Sequence, residues 1–145
     1  MNRVATSTLR PSGTPANLPP TRNKVLAALP EAELRTLGRS LEYTRLPLGR
    51  TLHEPGEPLK HLFFPTAGIV SLLDVRESGA SAELMVVGCE GLIGLAALLG
   101  GETATTRAVV QAEGSAYRLA TLTAREAFAA SRRFQGLVLR FAHSL

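Results

Sequence analysis

The sequence has little of several residue types that mark particular classes of protein. It contains one cysteine, Cys89, and no tryptophan among its 145 residues. A single cysteine excludes an internal disulfide and any metal site that needs several thiolates. Because disulfides are typical of oxidising compartments, a chain without them is expected in the cytoplasm.

Long apolar segments are also missing. Residues 1–21 hold serine, threonine and proline where a secretory signal needs a run of apolar residues. Residues 84–100 carry a single charge, that of Glu90, but glycines divide this stretch into a strand and a short helix. We therefore expect neither export nor a membrane partner.

Positive charge exceeds negative charge, but it is not clustered. The chain has 16 lysine and arginine residues against 12 acidic residues, which gives a formal net charge of +4. Arg132 and Arg133 are adjacent, whereas the other arginines are scattered singly. A nucleic-acid-binding surface normally concentrates its basic residues in a patch or stripe. The charge pattern therefore indicates an ordinary solvated surface.

Sequence patterns of known catalytic sites are absent as well. There is no Gly-x-Ser-x-Gly nucleophile turn and no phosphate-binding P-loop. No catalytic residue is assigned, and the sequence favours a binding module over an enzyme. His53 and His61, with Glu54 and Glu57 between them, leave a cupin-like metal-binding enzyme as an alternative. A Pro-Gly turn separates the two histidines, however, so no metal ligand is assigned.

The chain begins with a segment that differs in composition from the rest. Residues 1–22 are rich in proline and lack apolar periodicity, which predicts a disordered leader. The folded domain is predicted over residues 23–145. Asn23 is a candidate N-cap, and apolar residues at helical spacing predict two short helices over residues 23–29 and 30–41.

Short extended runs separated by glycine and proline follow. They span residues 43–48, 51–53, 61–64, 68–75, 80–87, 107–112 and 115–119. Many short strands without βαβ alternation predict a mainly β domain with flanking helices, either a barrel or a double-stranded β-helix (jelly roll). Thr123 and Glu126 form a capping-box pattern, which predicts one C-terminal helix that continues to Leu145.

Several segments of the strand region occur in a distinctive order and spacing. They are residues 46–49, 55–57, 62–73, 91–101 and 106–110. Together they resemble the cyclic-nucleotide-binding domain of the Crp/Fnr family of transcription regulators. Residues 122–145 resemble the helix that leads to that family's dimerisation helix. The resemblance covers everything after the leader and implies a jelly roll of that type, acting as a sensor of an effector.

The resemblance also implies where an effector binds. In the family, a glycine-rich turn and a short helix face a cyclic phosphate, a strand arginine neutralises it, and a glutamate holds the ribose hydroxyl. The implied ligand is a small anionic effector such as a cyclic nucleotide, and no other cofactor is assigned. The matching segment supplies the candidate ligand-binding residues Glu90, Gly91, Gly94, Leu95, Thr106, Arg107 and Ala108.

Two positions depart from the family pattern. Leu95 stands where the ribose-binding glutamate is expected, and Thr106 stands where the arginine is expected, so Arg107 comes one residue late. A shift of one residue along a strand moves a side chain to the opposite face. A bulge between Gly101 and Thr106 would return Arg107 to the pocket. Otherwise Arg107 lies on a solvent-exposed face and residues 92–99 form a core-filling helix. Both departures count against cyclic AMP or cyclic GMP as the ligand.

The end of the sequence bears on its partners. The family reads DNA with a helix-turn-helix that follows its dimerisation helix. Because the sequence stops at Leu145, where that helix would begin, we expect a truncated helix and no specific DNA binding by this chain alone. Its apolar stripe of Leu137, Val138, Phe141 and Leu145 predicts packing on the β domain or a weak homodimer. A cyclic-nucleotide-binding regulatory subunit of another protein is an alternative with the same fold.

Overall fold

The computed structural model of the protein describes residues 17–145. The described chain starts with a 3-10 turn, Pro20–Arg22. This turn, and a hydrogen bond of 2.6 Å from Tyr117 Oη to Leu18 O, fix residues that the sequence assigns to the leader. The earlier part of the predicted leader, residues 1–16, lies outside the described residues.

Two short helices come next, α1 (Lys24–Ala27) and α2 (Glu31–Gly38). Both lie within their predicted ranges. Asn23 caps α1 as expected, since its Oδ1 accepts the N–H groups of Val25 and Leu26 at 3.0 and 3.2 Å. The helices turn apolar side chains inward, and Leu26 is fully buried.

Five antiparallel strands form one sheet, whose strands are β1 (Glu42–Leu46), β2 (Thr51–His53), β3 (His61–Val75), β4 (Ser81–Val87) and β5 (Arg107–Ala120). Their order is β1-β5-β3-β4, with β2 paired to the first part of β5 and β1 to its second part. The order does not return to its start, so the sheet is open and not a closed barrel. The predicted mainly β fold with flanking helices is confirmed.

β3 and β5 are each one long strand where the sequence indicated two short runs. Their pairing is irregular between Pro65 and Val70, where two glycines allow close approach of the backbones. A Cβ at Gly68 would lie 2.5 Å from Ala112 O, and Gly68 has a φ of +88°. A Cβ at Gly114 would also collide with backbone of β3. The glycines therefore bend paired strands and do not end them.

Two helices follow the sheet, α3 (Thr121–Ala130) and α4 (Arg132–His143), where the sequence predicted one. The predicted capping box is wrong, because α3 begins at Thr121, whose hydroxyl donates to Leu59 O at 2.6 Å. Ser131 separates the two helices with extended backbone, and its hydroxyl accepts the N–H of Phe134 at 3.0 Å.

The helix α4 buries one face on the domain. Phe134, Val138 and Phe141 lie on successive turns and join the hydrophobic core. The predicted apolar stripe thus packs on the chain itself, while Leu139 and Leu145 stay exposed. Across residues 17–145, no helix combines the length and hydropathy that crossing a bilayer requires.

Candidate functional site

The connection between β4 and β5 is held against β3 by its backbone. Phe63 and Ile93 exchange N–H···O hydrogen bonds of 3.0 and 2.8 Å. Gly94 follows with a φ of +98°, and a Cβ there would lie 3.1 Å from His61 O. The 3-10 turn Leu95–Leu98 begins at the next residue. Glycine at position 94 therefore lets the β4–β5 connection turn tightly against β3.

Asn23 also holds the β4–β5 connection next to β3. Its side chain is fully buried, and its Nδ2 donates to Pro65 O at 2.9 Å and to Gly91 O at 2.8 Å. The neighbouring Lys24 donates its N–H to Cys89 O at 2.7 Å. Because Asn23 also caps α1, all four hydrogen-bonding positions of its amide are used. One residue thus links α1, β3 and the β4–β5 connection.

Arg125 of α3 holds the far end of the connection. Its Nε donates to Ala97 O at 2.9 Å, and its Nη2 donates to Gly101 O at 3.1 Å. Hydrogen bonds from a guanidinium are stronger than those between neutral groups. The position of the 3-10 turn is therefore coupled to α3.

A cavity of about 180 Å³ lies between this connection, the sheet and the end of α4. Phe141 of α4 and Leu145 form part of its lining. Its polar lining residues are His53, Thr105 and Thr106. Most of the remaining wall is aliphatic, from Leu59, Leu72, Met85, Val87, Leu92 and Leu95. We call this space the roll cavity.

Phe141 also packs directly on the β4–β5 connection. A Cβ at Gly91 would lie 2.1 Å from Cε1 and 2.4 Å from Cζ of the Phe141 ring. Gly91 is not among the glycines with positive φ. Its lack of a side chain, and not its backbone freedom, is what this packing requires. Gly91 and Phe141 thereby connect α4 to the wall of the roll cavity.

The polar end of the roll cavity is uncharged near neutral pH. His53 Nε2 lies 3.4 Å from Thr106 Oγ1. Burial lowers the pKa of His53 below its usual value, although the nearby Glu57 and Glu54 carboxylates act in the opposite direction. A neutral imidazole beside a hydroxyl offers hydrogen bonds but no net charge.

Arg107 is paired with an acidic side chain outside the cavity. Its Nε lies 2.6 Å from Glu54 Oε1, and the two side chains are 35% and 41% exposed. Thr106 lines the roll cavity and Arg107 does not. Thr106 lies just before β5, whereas Arg107 is the first residue of β5 and its side chain meets Glu54. The sequence left open whether Arg107 faces the pocket or the outside of the sheet. The structure shows that Arg107 faces outward.

Three of the seven candidate residues come together at the roll cavity. Gly94, Leu95 and Thr106 all line it. The β4–β5 connection supplies all three, with Thr106 just before β5. Contact of these residues with an effector stays a prediction.

The other four candidates lie elsewhere. Glu90 is exposed, and its carboxylate accepts the N–H of Gly88 at 2.9 Å. Gly91 is buried beneath the Phe141 ring, and Ala108 is fully buried in the core. Arg107 is held in its ion pair. None of the four lines the roll cavity.

Sequence reasoning missed the residues that reach the site from distant parts of the chain. Arg125 and Phe141 belong to the C-terminal helices, and Glu54 meets Arg107 across a separation of 53 residues. The apolar stripe of α4 was a usable signal for Phe141. No local pattern indicates the contacts of Arg125 or Glu54.

Two other features of the molecule were candidates for a site. Among residues 17–145, no three His, Cys, Asp or Glu side chains are grouped as a metal site requires. A wider groove of about 740 Å³ lies between α2, α3 and the start of α4. None of the predicted site residues lines that groove.

Residues 43–131, from β1 to the end of α3, match the cyclic nucleotide-binding domain family. Solved structures of regulators are similar in fold. The N-terminal domain of a transcriptional regulator from Streptomyces coelicolor A3(2) is 27% identical over 85% of each chain, with a TM-score of 0.64. The sensor domain of the transcriptional regulator DNR from Pseudomonas aeruginosa is 17% identical. The match covers 86% of this chain and 81% of that one, with a TM-score of 0.66.

A regulatory subunit has the same fold. It belongs to a cAMP-independent protein kinase A from Trypanosoma brucei and was solved as a mutant bound to cAMP in its A site. The identity is 14% and the TM-score 0.63, over 80% of this chain but only 46% of that subunit. No curated protein matches the chain.

The chain belongs to the cyclic nucleotide-binding domain family, since the match covers more than half of its length. Within that family it is similar in fold to the N-terminal domain of the Streptomyces regulator and to the sensor domain of DNR. The β4–β5 connection lies inside the matched residues, as does the rest of the wall of the roll cavity except Phe141 and Leu145. The family and these neighbours are regulatory domains and not enzymes.

Proposed function

We propose that this chain is the effector-sensing domain of a Crp/Fnr-type transcription regulator, and that its effector site is the roll cavity. The observation that carries the proposal is that Phe141 of α4 lines this cavity, so that the C-terminal helix contacts whatever occupies it. In a sensor domain, binding of an effector must move a helix or strand that contacts other parts of the regulator. In this domain, α4 is that element.

The contacts of α4 suggest how occupancy is transmitted. Phe141 lies between Gly91 and the roll cavity, while Phe134 and Val138 anchor the rest of the helix in the core. Because Phe141 is part of the wall, a molecule in the cavity contacts it directly. If it binds better when Phe141 is displaced, it shifts the population toward a state with a repositioned α4.

The finer features of the proposal follow from the same resemblance. The sensor domain spans residues 23–145, acts in the cytoplasm and has no catalytic activity. A weak homodimer through α4 is supported by Leu139, which is 47% exposed beside the buried face of the helix. A regulatory subunit of another protein is the second candidate, favoured by the fold shared with the kinase subunit. The higher identity to the Streptomyces regulator supports the first.

Filling the cavity by substitution tests the link to α4. Leu72→Phe places a larger side chain in the wall and stands in for an effector. We expect amide hydrogen exchange over residues 134–145 to rise about tenfold, equivalent to about 1.4 kcal/mol, while the strands keep their protection. Leu122→Phe makes the same replacement on α3, where Leu122 is 73% exposed, and should leave exchange over residues 134–145 unchanged. Exchange that rises throughout the sheet, or nowhere, would contradict transmission through α4.

Metal analysis separates this proposal from a cupin-like enzyme. We expect mass spectrometry of the purified chain to find no stoichiometric iron, manganese or zinc. A stoichiometric metal that is lost in His53→Ala would favour the metal-binding enzyme instead.

A further inference from the structure

We infer that the roll cavity takes a small, uncharged and largely apolar molecule, about the size of a benzene ring with one polar substituent, in place of a cyclic nucleotide. The inference rests on the proposed function, because it assigns a ligand class to the same site. Four features of the described residues lead to it: the chemistry of the wall, the volume, the pairing of Arg107 and the use of the glycines.

The wall of the roll cavity has no charge to offer an anion. Within the described residues, no lysine, arginine, aspartate or glutamate side chain lines it. Its polar groups are the hydroxyls of Thr105 and Thr106 and the imidazole of His53. A phosphate in this cavity would lose its hydration without meeting an opposite charge, which is strongly unfavourable.

The volume also favours a small ligand. The roll cavity measures about 180 Å³. An engineered apolar cavity of about 150 Å³ in another protein stays free of water and binds benzene. Sites for drug-sized ligands are roughly 300–1,000 Å³. A cyclic nucleotide joins a purine, a ribose and a phosphate ring, and it needs a site in that larger range.

The nearby arginine is already neutralised. Arg107 Nε lies 2.6 Å from Glu54 Oε1, so an incoming phosphate would meet the carboxylate together with the guanidinium. Because both side chains are more than a third exposed, the pair is screened by water and its own stability is modest. What matters for recognition is that the pair has no net positive charge.

The glycines of the β4–β5 connection serve packing within the protein. Gly91 makes room for Phe141, and Gly94 makes room for the backbone of β3 at His61. Neither leaves an open cradle for an anion. At the polar end, His53 and Thr106 can exchange hydrogen bonds with one hydroxyl or amine on the ligand.

The two methionines of the chain provide a selective probe. They are Met1 and Met85, and Met85 lines the roll cavity. Protein labelled with ¹³C-methyl methionine should give two methyl signals, which Met85→Leu assigns. We expect phenol at millimolar concentration to shift the Met85 signal in a saturable way and to leave the Met1 signal in place. Cyclic AMP at the same concentration should shift neither.

A variant that fills the cavity shows where phenol binds. Ala104 is buried in the wall, so Ala104→Leu should weaken the phenol-dependent shift at least about tenfold. Ala129→Leu, on the exposed side of α3, should leave it unchanged. If Ala104→Leu fails to fold by circular dichroism, Leu72→Phe fills the cavity from β3 and gives the same test.

The outcomes separate the ligand class from the site itself. A saturable Met85 shift with phenol that Ala104→Leu weakens supports the inference. A saturable shift with micromolar cyclic AMP would overturn the ligand class, yet it would keep the roll cavity as the effector site. If neither probe shifts Met85, both the ligand class and the proposed effector site are refuted.

Discussion

Replacing Gly91 with alanine should destabilise the protein, because Phe141 already occupies the space that a Cβ needs. The Cβ would lie 2.1, 2.4 and 2.9 Å from three ring atoms of Phe141. Carbon atoms pack favourably at about 3.5–4.0 Å, so the ring has to move by more than an ångström. Phe141 is only 9% exposed, which leaves little room for that movement.

Two estimates bound the cost of Gly91→Ala. If the ring stays and its surroundings adjust, overpacking of a core costs about 1–3 kcal/mol. If the ring leaves its site, the lost burial of a phenylalanine costs about 1.5–3 kcal/mol. The φ of Gly91 is not positive, so backbone strain adds nothing. Both routes give a loss of about 1–3 kcal/mol in the free energy of unfolding.

Urea unfolding with linear extrapolation measures this loss. Gly136→Ala is the matched control, since Gly136 lies within α4 and a Cβ there has no neighbour within 4 Å. It should stabilise the protein by about 0.5–1 kcal/mol, because alanine is the better helix former. In a Phe141→Leu background, Gly91→Ala should cost less than half as much. An equal cost in both backgrounds would refute the steric explanation.

Further substitutions test the hydrogen bonds and charges around the site. Asn23→Ala removes a helix cap and two further buried hydrogen bonds to backbone carbonyls, so denaturation should show a loss of about 3–5 kcal/mol in the free energy of unfolding. The exposed Asn17→Ala should change little. Calorimetry should show that cyclic AMP binds more weakly than about 100 μM, or about −5.5 kcal/mol. Micromolar binding that Arg107→Ala abolishes would contradict this. Glu54→Gln frees Arg107 and should strengthen cyclic AMP binding by no more than about fivefold. Because burial lowers the pKa of His53, the unfolded chain binds a proton more readily, and stability should fall from pH 7 to pH 5. His53→Gln should reduce this fall in unfolding free energy measured across that pH range.

The fold could be predicted because its signals are local. Asn23 at the start of an apolar helical pattern indicated the cap of α1, and the structure confirms it. Gly68 indicated the start of a separate strand, but in the structure it bends one strand that continues to Val75. The helix boundary at Ser131 was also missed, because a serine within an apolar helical pattern does not by itself indicate that one helix ends and another begins. The predicted ends of strands and helices were wrong at positions where the local sequence allows either continuation or a break, because tertiary contacts decide between the two.

The site could be predicted only in part, because its wall comes from residues far apart in sequence. Strand alternation alone left the direction of Arg107 open, because a bulge before Thr106 would have returned Arg107 to the pocket. The ion pair that occupies Arg107 depends on Glu54, which a distant turn supplies. The place of Phe141 in the wall depends on how α4 packs on the domain. Sequence patterns describe one segment at a time, and they do not report which segments meet.

The glycines of the β4–β5 connection explain why family resemblance fixes the fold here more firmly than the ligand. Gly91 and Gly94 would be required even if no phosphate ever bound, since Phe141 and β3 lie where their side chains would be. Their presence is therefore evidence for the turn and for α4 packing on it. The ligand is selected by other positions, at which a side chain faces the roll cavity. Leu95 and Thr106 occupy two of these, and neither supplies a charge. A domain of this family can thus keep its glycine framework while the chemistry of its cavity changes, so the wall residues are the ones from which an effector has to be inferred.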